Sequence, residues 1–224
     1  MGYTLLRIYK YCTLDQWAFA NLANSTLYFN LFSKMNDPNE VLVHRRWNQK
    51  VARDESVLLC SLTEDRLNPM MWERYADHFK GLCIGYDIPV QETDQYLFNN
   101  DGEVGMYFRK VKYFEADDLM KRPLNNTEDS AAALDVFSEK TNDWEGESEF
   151  RSLVFTNDSN AMRFPHARPV CIDKRYLKSI TFGPETPSAL STAVHSSVTS
   201  LYPPGVAFSS ARFADTAIQL SPFA

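Results

Sequence analysis

The stretch Asn68–Tyr86, NPMMWERYADHFKGLCIGY, holds a helix, a stop and a strand in one run. Asn68-Pro69 has the form of an N-cap followed by proline in the first helical position, where its missing N–H costs nothing. Met71, Trp72, Tyr75, Ala76 and Phe79 recur at helical spacing, which predicts an apolar stripe buried along Trp72, Tyr75 and Phe79. Gly81 is placed to end that helix, and Leu82–Tyr86 reads on as a strand. A helix that hands directly to a strand is the unit from which the rest of the fold is read.

Upstream, Tyr3–Tyr11, Thr26–Phe32 and Val57–Leu62 read as strands, rich in Tyr, Leu, Ile and Val. Thr13 and Gln16 stand at capping-box spacing ahead of a short helix with Leu14, Trp17, Ala18 and Leu22 on one face. Met35–Glu40 is a polar loop. Downstream, Met106–Phe114 is a strand, Asp117–Asn126 an exposed loop and Ala131–Lys140 a helix candidate. Phe150–Phe155, Pro169–Ile172 and Leu177–Phe182 are further strands. Thr186-Pro187 caps a helix with apolar positions Leu190, Val194, Val198 and Leu201, and two strands follow, Val206–Ser209 and Ala217–Leu220. Strands outnumber helices and no internal repeat breaks the chain. The expectation over residues 1–224 is one α+β domain with a mixed, mostly antiparallel sheet flanked by helices.

Composition narrows the function. The 224 residues are 44% hydrophobic and 13% aromatic, enough for a sizeable core. With 23 basic and 29 acidic residues the net charge is −6, so a broad nucleic-acid-binding face is not expected. No apolar run reaches the roughly 18–20 residues that span a bilayer, and the early charge in MGYTLLR argues against a signal peptide. Cys12, Cys60, Cys83 and Cys171 are scattered without metal-type pairing, which reads as reduced core thiols in a cytoplasmic protein. His44, His78, His166 and His195 show no ligand spacing and are expected at the surface. Motifs for zinc proteases, serine hydrolases, P-loops and dinucleotide folds are absent, and 8 glycines leave little for phosphate loops.

Several short motifs occur in order: Tyr9-Lys10-Tyr11; Tyr28-Phe29 ahead of Asn36-Asp37-Pro38-x-Glu40; Cys60-Ser61-Leu62; Met71-Trp72-x-x-Tyr75-Ala76 with Lys80-Gly81; and Val111-x-Tyr113. The last is Lys140 with Trp144-x-x-Glu147-x-Glu149-x-Arg151. Together they resemble the bacterial family catalogued as domain of unknown function 2971, from Tyr9 to Gly183. Asn39 departs from the aromatic usual at that position. The layout also looks like that of ADP-ribosyltransferases, with a polar first strand and a catalytic glutamate opening a late strand. That analogy is one of fold.

At strand spacing, Glu147, Glu149 and Arg151 would share one face. Two carboxylates and a guanidinium there are costly unless paired or solvated in a cleft. They are either a salt bridge or a site in which Glu149, with Glu147, stabilises an oxocarbenium ion. Asp37 and Glu40 read as turn chemistry or as ligand-orienting groups. Lys10, opposite Tyr9 and Tyr11, is a solvated lysine or a phosphate partner. Trp72 and Tyr75 are core by spacing, with a cofactor ring as the functional alternative. The leading expectation is an ADP-ribosyltransferase-like enzyme that binds NAD through Lys10, Tyr75, Trp72, Arg151 and Asp37. It would modify a macromolecular acceptor, in phage defence or a toxin system. The rivals are an Mg²⁺-dependent nuclease, with Asp37, Glu147 and Glu149 on the metal and Lys112 or Lys140 assisting, and a non-enzymatic binding or sensor module. On the first expectation Lys10, Asp37, Glu147, Glu149 and Arg151 line one solvent-accessible pocket walled by Tyr75.

Overall fold

The computed structural model describes residues 2–51, 56–92, 96–98, 105–121, 130–156, 168–215 and 217–223. His166 and residues 122–126 of the expected loop lie outside them. The chain divides into two compact units, one of residues 1–27, 62–90 and 171–224, the other of 28–61 and 91–170. The fold is α+β with mixed, mostly antiparallel strand pairing, as the sequence indicates.

In the first unit the strand order is β13 (Ala217–Pro222), β12 (Ala207–Ala214), β11 (Leu177–Phe182), β4 (Leu82–Gln91) and β1 (Tyr3–Cys12). β11 and β12 run parallel, while β11·β4 and β12·β13 are antiparallel. Helix α1 (Gln16–Asn24) buries Ala18 and Leu22 but leaves Trp17 exposed, and its cap is Asp15, which accepts from the Trp17 and Ala18 N–H groups. The expected Thr13–Gln16 box is not its cap, because a carboxylate one residue before Gln16 reaches both free donors.

Helix α3 (Pro69–Tyr75) starts as read, with Asn68 accepting from the Met70 and Met71 N–H groups. Met71, Trp72 and Ala76 are buried with Tyr11, Cys83, Ala211 and Ile218, while Tyr75 and Phe79 pack at the margin of that cluster. The helix does not end at Gly81. It leaves through Asp77, His78 and Phe79, all left-handed, and the Phe79 N–H donates to the Trp72 carbonyl at 3.2 Å. Gly81 serves a different purpose: a Cβ there would stand 2.2 Å from the Cys12 carbonyl oxygen, so only glycine lets the chain pass. A further helix spans Ser188–Leu201. It buries Val194 and Val198 as expected, together with Ser191, and leaves Leu190 and Leu201 exposed.

In the second unit β3 (Ser56–Thr63, its last two residues in the first unit), β9 (Glu149–Thr156), β6 (Gly105–Lys110) and β5 (Tyr96–Phe98) lie side by side in that order. β2 (Thr26–Leu31) lies antiparallel to β3. The expected long strand to Phe114 breaks at Val111, whose N–H turns to the Glu149 carbonyl, and β7 (Lys112–Phe114) pairs parallel with β8 (Glu139–Thr141). Three helices depart from the expectation: α2 (Pro38–Val51) starts inside the expected polar loop Met35–Glu40, α4 (Ala116–Lys121) overlaps the expected exposed loop, and α5 (Ser130–Val136) stops short of Lys140. Phe32, Val57, Leu59, Ala133, Leu134, Phe137 and Leu153 form the core of this unit.

Cys60 and Cys83 are buried, Cys12 is half-buried and Cys171 is exposed; all four are free. Cys171 is therefore not a core thiol. His78 is exposed, whereas His195 packs its ring 4.5 Å from that of Phe208. Among the described residues no helix is long and apolar enough to cross a membrane.

Candidate functional site

The motifs of the second unit converge. Asp37 caps α2, its Oδ1 accepting the Asn39 N–H at 2.9 Å, with Pro38 in the first helical position. Glu40 follows in the first turn. Thr141 ends β8, and the chain passes through a 3-10 turn (Asn142–Glu147) to Ser148, whose left-handed backbone (φ 46°) starts β9 at Glu149. Glu147 is thus not on the strand with Glu149, and the left-handed turn, not strand alternation, brings both carboxylates to one cation.

That cation is Lys140, whose Nζ donates to Glu147 at 2.8 Å and to Glu149 at 3.1 Å and lies 4.4 Å from the centre of the Trp144 ring. Arg151 holds Glu149 in a fork, Nε to Oε1 and Nη2 to Oε2, both at 3.0 Å. Its Nη1 donates to the Phe137 carbonyl at 2.8 Å, its Nη2 also donates to Glu40, and its guanidinium lies 5.6 Å from the Phe32 ring centre. Ser61 adds a hydrogen bond to Glu149, and the Glu149 N–H donates to the Tyr113 hydroxyl at 2.8 Å. Glu40, Lys140, Glu147, Glu149 and Arg151 are each 2% exposed or less. The expectation of a solvent-accessible wall is corrected here: these side chains bond one another inside the unit.

Burial alone would raise the pKa of Glu149, but Arg151, Lys140 and the hydrogen bonds from Arg151 and Ser61 bring it down to about 2. Burial raises that of Glu40; Arg151 opposes the rise and the charge of Glu149 adds to it. Burial would lower that of Lys140, but Glu149 and Glu40 hold it above its usual value. The two carboxylates therefore act on stability with opposite sign. With Glu149 depressed, the folded state binds fewer protons than the unfolded state, so its contribution is lost as pH falls from about 4.3 toward its folded value. With Glu40 raised, the folded state binds more protons, and stability declines as pH rises from about 4.3 until Glu40 has ionised. Urea midpoints measured across pH should fall on both sides. Glu40→Gln should flatten the alkaline-side decline and keep the acid limb. An unchanged profile shape in that variant contradicts the assignment.

Asp37 is buried, and its Oδ2 has no hydrogen-bond partner among the described residues. Glu147 and Glu149 already share the Lys140 ammonium, and Lys112 is a surface residue paired with Asp135 at 2.9 Å. Among the described residues no group of three or more His, Cys, Asp or Glu side chains is arranged to hold a metal. The first unit holds Lys10 and Tyr75, both half-buried, and Trp72, which is fully buried. Trp72 turns its ring edge-on to Tyr11 (5.0 Å, 89°) and donates its indole N–H to the Arg66 carbonyl at 3.2 Å. It has no face free for a cofactor ring, so the core reading of Trp72 holds and its alternative as a ring platform does not. Arg151 and Asp37, also expected among the NAD contacts, are buried too.

Sequence reading missed a cleft of about 200 Å³ in the first unit, lined by Arg7, Tyr9, Arg66, Asp87, Lys178 and Ser179 with the backbone at Gly85. Arg7 forks onto Asp87 through two 2.7 Å hydrogen bonds, and this contact chiefly holds the Asp87 carboxyl below its usual pKa. Arg7 and Tyr9 alternate on β1 and could have been grouped by strand period. Nothing in the sequence links them to Arg66 or Lys178.

Residues 71–152 match the model of a protein family described as Protein of unknown function (DUF2971). This stretch carries the motifs from Met71 to Arg151, and the resemblance read from them is that of the matching family. No curated protein and no solved structure matches the chain.

Proposed function

We propose that this protein works by binding a small anionic ligand in the cleft of its first unit, as a recognition module and not through chemistry at its charged motif. The observation that carries this reading is the charge of the cleft: three cationic side chains stand against one carboxylate in a chain of net charge −6. Low-dielectric walls lined by one sign of charge concentrate the opposite ion. The buried cluster supports the same reading. Each of its charged groups bonds another member, so Glu149 would have to break contacts with Arg151, Lys140 and Ser61 before touching a ligand. Thermal shifts with phosphate, sulfate, citrate and NAD, with and without Mg²⁺, test it, since a ligand selective for the folded state raises the midpoint. At least one anion should do so, less at high salt and not in Arg66→Met. A panel without effect rejects the reading.

One observation favours the second reading, an ADP-ribosyltransferase-like enzyme acting on a macromolecule with NAD: Glu149 opens β9, where the resembled layout carries its catalytic glutamate. Glu149→Gln separates the two. On the enzymatic reading it abolishes NAD consumption or toxicity while stability stays within about 1 kcal/mol. On the binding reading it weakens a buried charged hydrogen-bond network, lowers stability by about 1–3 kcal/mol and leaves anion binding intact.

A further inference from the structure

Two local departures from regular strand geometry build the cleft. Along the antiparallel pair β11·β4, Leu177 faces Tyr86 and Ser179 faces Gly85, so Lys178 is the extra residue of a β-bulge. Neighbours on a regular strand point to opposite faces, but a bulge re-aims one of them. Lys178 and Ser179 consequently both line the cleft. Opposite them is Gly85, in the middle of a strand. A Cβ there would lie 2.3 Å from Ser179 Oγ and 3.0 Å from the Tyr9 ring, so the missing side chain lets a hydroxyl and an aromatic edge close over bare backbone.

The third wall is held in place in advance. Arg66 follows β3 on a segment pinned by Tyr11 Oη to the Asp65 carbonyl (3.0 Å), Trp72 Nε1 to the Arg66 carbonyl (3.2 Å) and Asp65 N–H to Thr63 Oγ1 (3.1 Å). The ordering cost that an arginine segment usually incurs on binding is thus largely met before the ligand arrives. Arg7 is already forked onto Asp87, whereas no salt bridge of Arg66 or Lys178 occurs among the described residues. The charge left for a ligand is that of one guanidinium and one ammonium, with a serine hydroxyl beside them. This donor set suits a phosphate dianion better than a single carboxylate. The Tyr9 ring and a volume of about 200 Å³ leave room for one small organic group on that phosphate.

We propose that the cleft binds a phosphate monoester of a sugar-sized group, with Arg66, Lys178 and Ser179 taking the phosphate and Tyr9 lying against the organic part. This rests on the anion-binding reading above and names its ligand class. Calorimetry on the full chain tests it with ribose 5-phosphate, inorganic phosphate, ribose and citrate. Ribose 5-phosphate is expected to bind at least about tenfold more tightly than phosphate, with ribose and citrate silent. Arg66→Met and Lys178→Met should each weaken it at least about tenfold while the melting temperature of the free protein is unchanged. Gly85→Ala should weaken it by displacing Tyr9 and Ser179.

The outcomes are separable. Equal affinity for phosphate and its ester removes the organic subsite and overturns the proposal. Citrate bound in its place, with the same sensitivity to Arg66→Met, keeps an anion site and overturns the phosphate ester. Binding of ribose 5-phosphate untouched by both Arg66→Met and Lys178→Met moves the ligand elsewhere and overturns it too. Silence of every probe, ester and plain anion alike, sinks the anion-binding reading itself.

Discussion

Arg151→Met is expected to lower the unfolding free energy by about 3–5 kcal/mol, the cost of removing one partner from a buried ion pair. The upper end applies, because this guanidinium serves two carboxylates. Glu149 would lose both arms of its fork and keep Lys140 and Ser61, while Glu40, 1% exposed, would lose its guanidinium outright. The Phe137 carbonyl, deep in the hydrophobic core of the same unit, would lose its donor as well. Methionine replaces much of the volume, so the loss reports uncompensated charge and not a cavity. Arg151→Lys should recover only part of it, since an ammonium cannot fork onto one carboxylate and reach another. The triple substitution Glu40→Gln, Glu149→Gln, Arg151→Met should be markedly less destabilised than Arg151→Met alone, because it leaves no carboxylate stranded. Chemical denaturation of the three proteins decides the matter. A single variant within about 1 kcal/mol of the parent would mean that water already reaches the cluster.

The legibility of the chain followed its apolar periodicity. Leu177–Phe182 is legible to the residue, and α3 with its cap, because a strong cap stands directly ahead of a dense stripe. Asp37-Pro38-x-Glu40 carries the same start chemistry as Asn68-Pro69, yet it reads as a turn, since in the charged sequence after it, VLVHRRWNQKV, only Val43, Trp47 and Val51 recur at helical spacing. Helix α2 is helical because its acidic start is anchored: Asp37 caps it, and Glu40 is fixed by Arg151, 111 positions away. Pairing at that separation leaves no trace in local pattern. The motif residues Lys140, Trp144, Glu147, Glu149 and Arg151 stand out in the sequence, but the strand spacing that groups them does not extend back to Glu147. The left-handed Ser148 between the two glutamates undoes that spacing, and only the backbone reveals it. The cleft was harder still. Its decisive features are a bulge and a missing Cβ, neither of which has a sequence signature beyond one glycine in an apolar run.

The other large effect belongs to the first unit. Trp72→Ala is expected to cost about 3–5 kcal/mol, as truncation of a fully buried aromatic does, and to lower the melting temperature by on the order of 10 °C. Trp72 is wholly inaccessible and packs with Met71, Ala76, Tyr11 and Cys83, so its loss opens a cavity that rigid strands on one side cannot collapse to fill. The same substitution should reach the cleft without touching it. The indole N–H holds the Arg66 carbonyl, and Tyr11, edge-on to the Trp72 ring, holds the neighbouring Asp65 carbonyl. Trp72→Phe separates the two roles, for it keeps most of the packing and deletes only the N–H. It should cost far less stability than alanine and still weaken ribose 5-phosphate binding, because the Arg66 segment then pays more of its ordering cost on binding. Melting curves and calorimetry on both variants give the readings. An alanine variant that melts with the parent would reject Trp72 as core. A phenylalanine variant with undiminished affinity would free Arg66 from any dependence on the indole and leave the cleft standing on its own walls.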